Sequence, residues 1–270
     1  MGDNLRGLAR DLWFLPKLRV GAFNVWSHYF LVFRQAPLIN FFWVSVEPLV
    51  YLFAIGNGVG SLVAEVNGVS YFEFFFPGLL AISVMITTSY ETTYGTYNRA
   101  YFSKTFANLF LTPISSMDLL LGEILWAVFK GLLSALTVVL VLYVDKYLSL
   151  GQLFSLLGAS VLLCWFFSSL GLFITSIVGS SESFIYYQSG FLIPMAMLCN
   201  TYFPMTNYPE TVQALIKILP LSQGVFLFRA IMEGRFELSF YLAVLYFLIL
   251  SFLFTNWSLQ RMSKKIETLV

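Results

Sequence analysis

YFEFFFPGLLAISVMITTSYETTYGTYNRAYFSKTFANLFLTPISSMDLLLGE, residues 71–123, passes from oil to water and back within one short stretch. Its first part is apolar enough to cross a bilayer, which takes about 20 residues at 1.5 Å each. It then turns polar through YETTYGTYNR and reaches Arg99 and Lys104. Charged groups cost about 2.5–3.5 kcal/mol at the centre of a membrane helix, so this part leaves the hydrocarbon. Residues 98–110 suit a short helix with Tyr101, Phe102, Phe106 and Leu109 on one contact face and Arg99 and Lys104 at its rim. Ser115 with Asp118 three residues later has the form of a capping box, and a new apolar run follows it. The stretch therefore predicts two membrane spans joined by a small helix outside the bilayer; the alternative is a loop resting on the bilayer surface, which aromatic residues also favour.

The rest of the chain agrees. Of 270 residues, 59% are hydrophobic, 19% aromatic and only 11% charged, with a mean hydropathy of +0.80. Soluble domains carry roughly 25% charged residues, so this is an integral membrane protein. The net charge of +1 offers no basic field for nucleic acid. Cys164 and Cys199 match neither a zinc nor a CxxC spacing and read as packing residues. His28, the sole histidine, sits in an amphipathic stretch and reads as a polar-face residue, so neither a metal site nor a catalytic site is expected. Arg6, Arg10, Lys17 and Arg19 precede no early uninterrupted apolar core or cleavage site, which argues against a removable signal peptide.

Six apolar segments predict an all-α fold of six spans, at about 37–57, 71–95, 117–143, 153–178, 184–203 and 236–258. With both termini cytoplasmic, ten basic residues fall inside (Arg6, Arg10, Lys17, Arg19, Arg34, Arg99, Lys104, Arg261, Lys264, Lys265). Four fall outside (Lys146, Lys217, Arg229, Arg235). That bias is the one expected of an inside N-terminus. Residues 1–36 form an N-terminal region whose part from 18 to 35 reads as an amphipathic interfacial helix with Trp26, Tyr29, Phe30 and Phe33 on its apolar face. Residues 259–270 read as a cytoplasmic tail.

Between the last two spans, residues 203–235 are hydrophobic yet broken by Pro204, Pro209 and Pro220 and closed by Gly234. Pro209 suits a first helical position, Ser222 an N-cap and Gly234 a C-terminal stop. Helices of 10–12 residues reach roughly 16–18 Å, about half the hydrocarbon, so a re-entrant pair is predicted. Gly56, Gly58 and Gly60 follow a span with no βαβ unit around them and read as the turn where it leaves the bilayer. GxxxxGK[ST], HExxH and GxSxG do not occur, so the chain has no such ATP-binding loop of its own.

Four ionisable residues lie at membrane depth: Glu47, Glu91, Glu123 and Lys130. Such groups face protein or water. Glu47 and Glu91 read as structural carboxylates bonded by neighbouring hydroxyls, such as Thr92, Thr93 and Thr96, or by a helix end; the alternative is a proton site. Glu123 and Lys130 share one helical face but lie about 10.5 Å apart along it, too far for a direct pair. Each faces another span or a second subunit.

EPLVYLFAIGNGVG (47–60), YFEFFFPGLLA (71–81), YETTYGTYNR (90–99), LTPISSMDLLLGE (111–123) and LPLSQGVFLFRAIMEG (219–234) together resemble the membrane subunits of type 2 ABC exporters. The likeness covers about 20–258. It is strongest to nodulation-type lipo-oligosaccharide export permeases and to those exporting capsular polysaccharide and O-antigen. The resemblance implies a homodimer in the bacterial inner membrane. Each subunit would dock a separate ABC ATPase, which holds the ATP and Mg while this chain carries no cofactor. It implies that Arg99, Tyr101, Phe102, Lys104, Phe106 and Leu109 belong to the ATPase-coupling helix. Pro204, Pro220, Ser222, Gln223, Arg229 and Gly234 would belong to the re-entrant exit segment. The family often has histidine where this chain has Gln223. Arg229 is read either as a bidentate ligand for phosphate or carboxylate or as the partner of Glu233 one turn on. The implied function is ATP-driven export of an amphiphilic glycan, lipo-oligosaccharide or glycolipid. The alternatives are an exporter of drugs or other lipids, and a proton-coupled secondary transporter. An intramembrane enzyme would need clustered nucleophiles, bases or ligands, which one histidine and scattered carboxylates do not supply.

Overall fold

The computed structural model describes residues 20–63, 65, 66 and 68–267. Arg6, Arg10, Lys17 and Arg19, and the last three residues of the expected tail, lie outside the described residues. Helix dominates. In chain order come α1 (Val20–Gln35) and α2 (Pro37–Gly60), followed by a two-residue hairpin pair, β1 (Glu65–Val66) and β2 (Val69–Ser70). Next are α3 (Tyr71–Phe102), α4 (Thr105–Phe110), α5 (Ser116–Val144) and α6 (Leu150–Ile177). A short α7 follows, built from Phe184–Tyr187, a π-helical stretch Gln188–Leu192 and Ile193–Leu198. The chain ends in α8 (Glu210–Ile218), α9 (Pro220–Glu233) and α10 (Leu238–Glu267).

Five helices among the described residues, α2, α3, α5, α6 and α10, are long and apolar enough to cross a membrane. The bent pair α8–α9, at 83°, would be a sixth if it were one span. Side-chain contacts give the sixth crossing to α7 instead. Its first residue, Phe184, packs on Tyr94 and Tyr97 near one end of α3. Just past its last turn, Thr201 lies against Gly78 near the other end. The 16 residues between Tyr94 and Gly78 correspond to about 24 Å of helix. The span expected at 184–203 thus has only 15 helical residues but covers most of the thickness.

The pair α8–α9 stays in the half of the bundle nearest the hairpin. Tyr246, two turns into α10, donates to the Ile218 carbonyl at 2.8 Å at the bottom of the dip. Gln152, in the first turn of α6, donates to the Met232 carbonyl at 2.9 Å at the top of the return. This is the expected re-entrant geometry. Pro220 takes the first turn of α9, with Leu219 as the cap rather than Ser222, and Pro209 caps α8 from outside its first turn. Gly234 ends α9 in the left-handed conformation, φ 68°.

Local signals predicted other ends correctly. The expected capping box closes at Ser115 and Asp118; the sequence reading missed a second, Ser149 with Gln152, which starts α6. The glycine run 56–60 does not turn: α2 continues through it, and Gly56 lies against the Phe72 ring, where a Cβ would sit 3.0 Å away. The residues of the expected tail up to Glu267 continue α10, with Leu259, Met262 and Ile266 buried against the α1 and α5 side of the bundle. The helix expected at 18–35 is α1, which lies along the first turns of α5: Gly21 meets Asp118, Val25 meets Gly122, and Phe33 packs on Trp126 and Phe129.

Candidate functional site

Two helices bring charged residues, and a third a tyrosine, to one buried point. α3 contributes Glu91, Thr96 and Arg99, α5 contributes Glu123 and Lys130, and α1 contributes Tyr29. Arg99 donates from Nε to Glu123 Oε1 at 2.9 Å and from one terminal nitrogen to Oε2 at 2.6 Å; the other terminal nitrogen reaches Glu91 Oε1 at 2.7 Å. Lys130 Nζ donates to Glu91 Oε2 at 2.6 Å. Tyr29 and Thr96 donate their hydroxyls to the two Glu123 oxygens at 2.6 and 2.7 Å. The guanidinium lies over the Tyr29 ring, 4.8 Å from its centroid. Glu123 is completely buried, and its oxygens are saturated.

The helical geometry of α3 changes here. α3 passes into π-helical turns at Glu91–Gly95 and again at Asn98–Phe102. Such turns shift the face that side chains occupy. Gly95 sits beneath the pair: a Cβ there would lie 2.9 Å from Glu91 Oε1 and 3.3 Å from Arg99.

This arrangement corrects several expectations. Arg99 is not a rim charge of a coupling helix; it belongs to α3 and points into the bundle. Glu91 is held by two cations, not by hydroxyls: Thr92 and Thr93 donate back to the carbonyls of Thr88 and Ser89. Glu123 and Lys130 are no correction: each finds partners on other helices of the same chain, one of the two readings the sequence left open. The predicted single helix 98–110 is broken at Ser103–Lys104, where Lys104 takes the left-handed conformation, φ 53°. The break rotates α4, so Phe106 turns inward and is 3% exposed, packed among residues of α1 and α5. Leu109 also faces the chain, and Tyr101 stacks on Tyr97 at 4.3 Å. The outward apolar residues are Phe102, 67% exposed, and Leu111, 88% exposed. Of the four expected contact residues, only Phe102 is fully outward, because the expected face assumed an unbroken helix.

At the hairpin end, Arg229 forms no ion pair with Glu233 among the described residues. It donates to the carbonyls of Asn200 at 2.7 Å and Phe74 at 3.2 Å and covers the Phe74 ring at 4.4 Å. Glu233 pairs with Arg235 instead. Gln223 donates to the Lys217 carbonyl at 2.6 Å and so closes the end of α8. Pro204 precedes the short turn Met205–Asn207. Ser222 is half-buried beside Gln223 in the first turn of α9.

Glu47 stands apart, exposed on α2 at the level of Ser83 and Thr87. A cleft joins it through Tyr51, Ile82 and Ile86 to a groove of about 480 Å³ between α2, α3 and α7. Tyr51, Tyr71, Tyr90 and Tyr202 line that groove. The tyrosines gave no sign of this in sequence, because they come from three separate segments. No group of three His, Cys, Asp or Glu able to hold a metal occurs among the described residues.

Among the described residues this bundle holds five helices long and apolar enough to cross a membrane, and residues 23–232 match the ABC-2 type transporter family. The chain belongs to that family and is a multi-pass transport permease. It is 32% identical over 210 residues to nodulation protein J of Rhizobium meliloti (strain 1021), covering 78% of this chain and 80% of that protein. It is 32% identical over 221 residues to nodulation protein J of Rhizobium leguminosarum bv. trifolii, covering 82% and 84%. It is 25% identical over 186 residues to the inner membrane transport permease YadH of Escherichia coli (strain K12), covering 66% and 72%.

Proposed function

We propose that this chain is the membrane subunit of an ATP-driven exporter in the bacterial inner membrane, moving an amphiphilic glycan, lipo-oligosaccharide or glycolipid. The observation that carries the reading is the groove of about 480 Å³ lined by four tyrosines. A phenol ring offers an apolar face for an acyl chain and a hydroxyl for a sugar, so such a wall suits a molecule with both parts. Likeness to the nodulation proteins supports the exporter-permease part of the reading. The chain works as a homodimer, with the sparsely covered α2 meeting its copy. A separate ABC ATPase holds ATP and Mg and docks near Phe102 and Leu111. Both termini face the cytoplasm.

The test is ATP-dependent movement of a fluorescent lipo-oligosaccharide in proteoliposomes containing this chain and its ATPase. Tyr51→Ala and Tyr90→Ala should lower transport while the purified protein keeps its unfolding midpoint. Transport that ignores ATP and collapses with the proton gradient would refute the reading. One observation favours that second, proton-coupled reading: Glu47 is an exposed carboxylate at mid-span beside the groove. Glu47→Gln removes titration and keeps hydrogen-bonding capacity. Normal ATP-driven transport by this variant excludes Glu47 as an obligatory proton carrier.

A further inference from the structure

A second cavity, of about 240 Å³, lies between α1, the start of α2, the end of α3, α4 and α5 and is lined by Tyr29, Val32, Asn40, Arg99, Thr105 and Lys130, among others. We propose that it binds the phosphate headgroup of an anionic membrane phospholipid.

Three observations carry this. The first is polarity. Arg99 and Lys130 line the cavity, whereas Glu91 and Glu123 do not. The carboxylates lie behind the cations, with side chains 9% and 0% exposed against 16% for Arg99 and 23% for Lys130. A ligand entering therefore meets positive charge first, although the four charges sum to zero.

The second is hydrogen-bonding capacity. A guanidinium has five N–H groups and an ammonium three. Arg99 directs its Nε and one N–H from each terminal nitrogen to carboxylates, and Lys130 directs one to Glu91. Two N–H groups on each cation remain for another acceptor. Charged N–H donors and phosphate oxygens make short, strong bonds, and basic pockets between membrane helices hold anionic headgroups by this means.

The third is size and surroundings. At 240 Å³ the cavity is smaller than the roughly 300–1,000 Å³ of sites for drug-sized molecules, so it suits a headgroup and not an oligosaccharide. Of the residues lining it, Val32 is 52% exposed and His28 is exposed. Leu31 on the same helix is 58% exposed, so apolar surface of α1 lies beside the opening and can meet acyl chains, which a free phosphate lacks. The lipid would tie α1 to the charge cluster and to α4 from the membrane side.

The test uses the full chain in nanodiscs of phosphatidylcholine alone or of phosphatidylcholine with phosphatidylglycerol. Lipid retained after detergent extraction and the unfolding midpoint are both measured. The wild type should retain phosphatidylglycerol enriched roughly tenfold over its share of the disc, the ratio that one charge-assisted contact supports. Its midpoint should be higher in the phosphatidylglycerol discs. Val32→Trp, which fills the mouth from an exposed position, and Lys130→Gln should both lose the enrichment. Equal midpoints in phosphatidylcholine would show that their fold is intact, and if Lys130→Gln does not fold, Val32→Trp decides. No enrichment in the wild type, or unchanged enrichment in Val32→Trp, overturns the proposal. Inorganic phosphate raising the midpoint equally in phosphatidylcholine discs overturns the lipid as the source. Because the readout is binding, failure of the substrate reading leaves this result unaffected.

Discussion

Arg99 and Glu123 meet as a two-pronged pair inside the bundle, Nε to Oε1 at 2.9 Å and a terminal nitrogen to Oε2 at 2.6 Å, joining the end of α3 to the start of α5. Breaking a buried pair by removing one partner commonly costs about 3–5 kcal/mol, since the other charge is left without compensation. Arg99→Met should lower stability by about that much, and the Arg99→Met, Glu123→Met double variant should recover part of it. Unfolding of purified Arg99→Met, Glu123→Met and the double variant, compared as a double-mutant cycle, measures the coupling. Purely additive losses would mean that the pair contributes nothing beyond its separate side chains.

Phe106 and Phe102 should separate stability from assembly. Phe106 is buried within its own chain and Phe102 projects outward. Phe106→Ala should cost about 3–5 kcal/mol of folding stability, as truncating a buried phenylalanine does. Phe102→Ala should leave the unfolding midpoint unchanged and weaken co-purification of the ATPase. Normal ATPase recovery with Phe102→Ala would remove this residue from the docking surface.

Gly78 allows α3 to touch the loop after α7. A Cβ there would lie 2.7 Å from the Thr201 Cα, a backbone atom that cannot swing aside. Gly78→Ala should therefore destabilise by about 1–3 kcal/mol through overpacking. Gly151, near the start of α6, has nothing within 4 Å of such a Cβ, and Gly151→Ala should be neutral or slightly stabilising because alanine favours helix. Thermal unfolding of the two variants side by side is the measurement.

Orientation follows from accessibility. Asn207 and Lys264 are exposed at opposite ends of the bundle, and Cys164 and Cys199 are buried, so single introduced cysteines can be read without background. In intact spheroplasts an impermeant thiol reagent should label Asn207→Cys and spare Lys264→Cys. The reverse pattern would invert the topology.

The sequence alone determined what depends on neighbours along the chain. Apolar run length sets the membrane class, because a bilayer selects for about 20 consecutive apolar residues whatever their partners. Ser115 and Asp118 specify a helix start because the cap closes within three residues, and Gly234 specifies a stop because one residue takes the left-handed turn. Helix faces and charge partners are different, since they depend on where distant segments come to lie. Tyr29 and Glu123 are 94 residues apart, and Lys130 and Glu91 are 39 apart. The π-helical turns of α3 and the break at Lys104 rotate side chains away from the positions that a regular 3.6-residue repeat assigns. That rotation put Arg99 inside the bundle and turned Phe106 toward its own chain. Arg229 followed the same rule: its sequence offered Glu233 one turn away, but only packing brought the Asn200 carbonyl close enough to take the guanidinium.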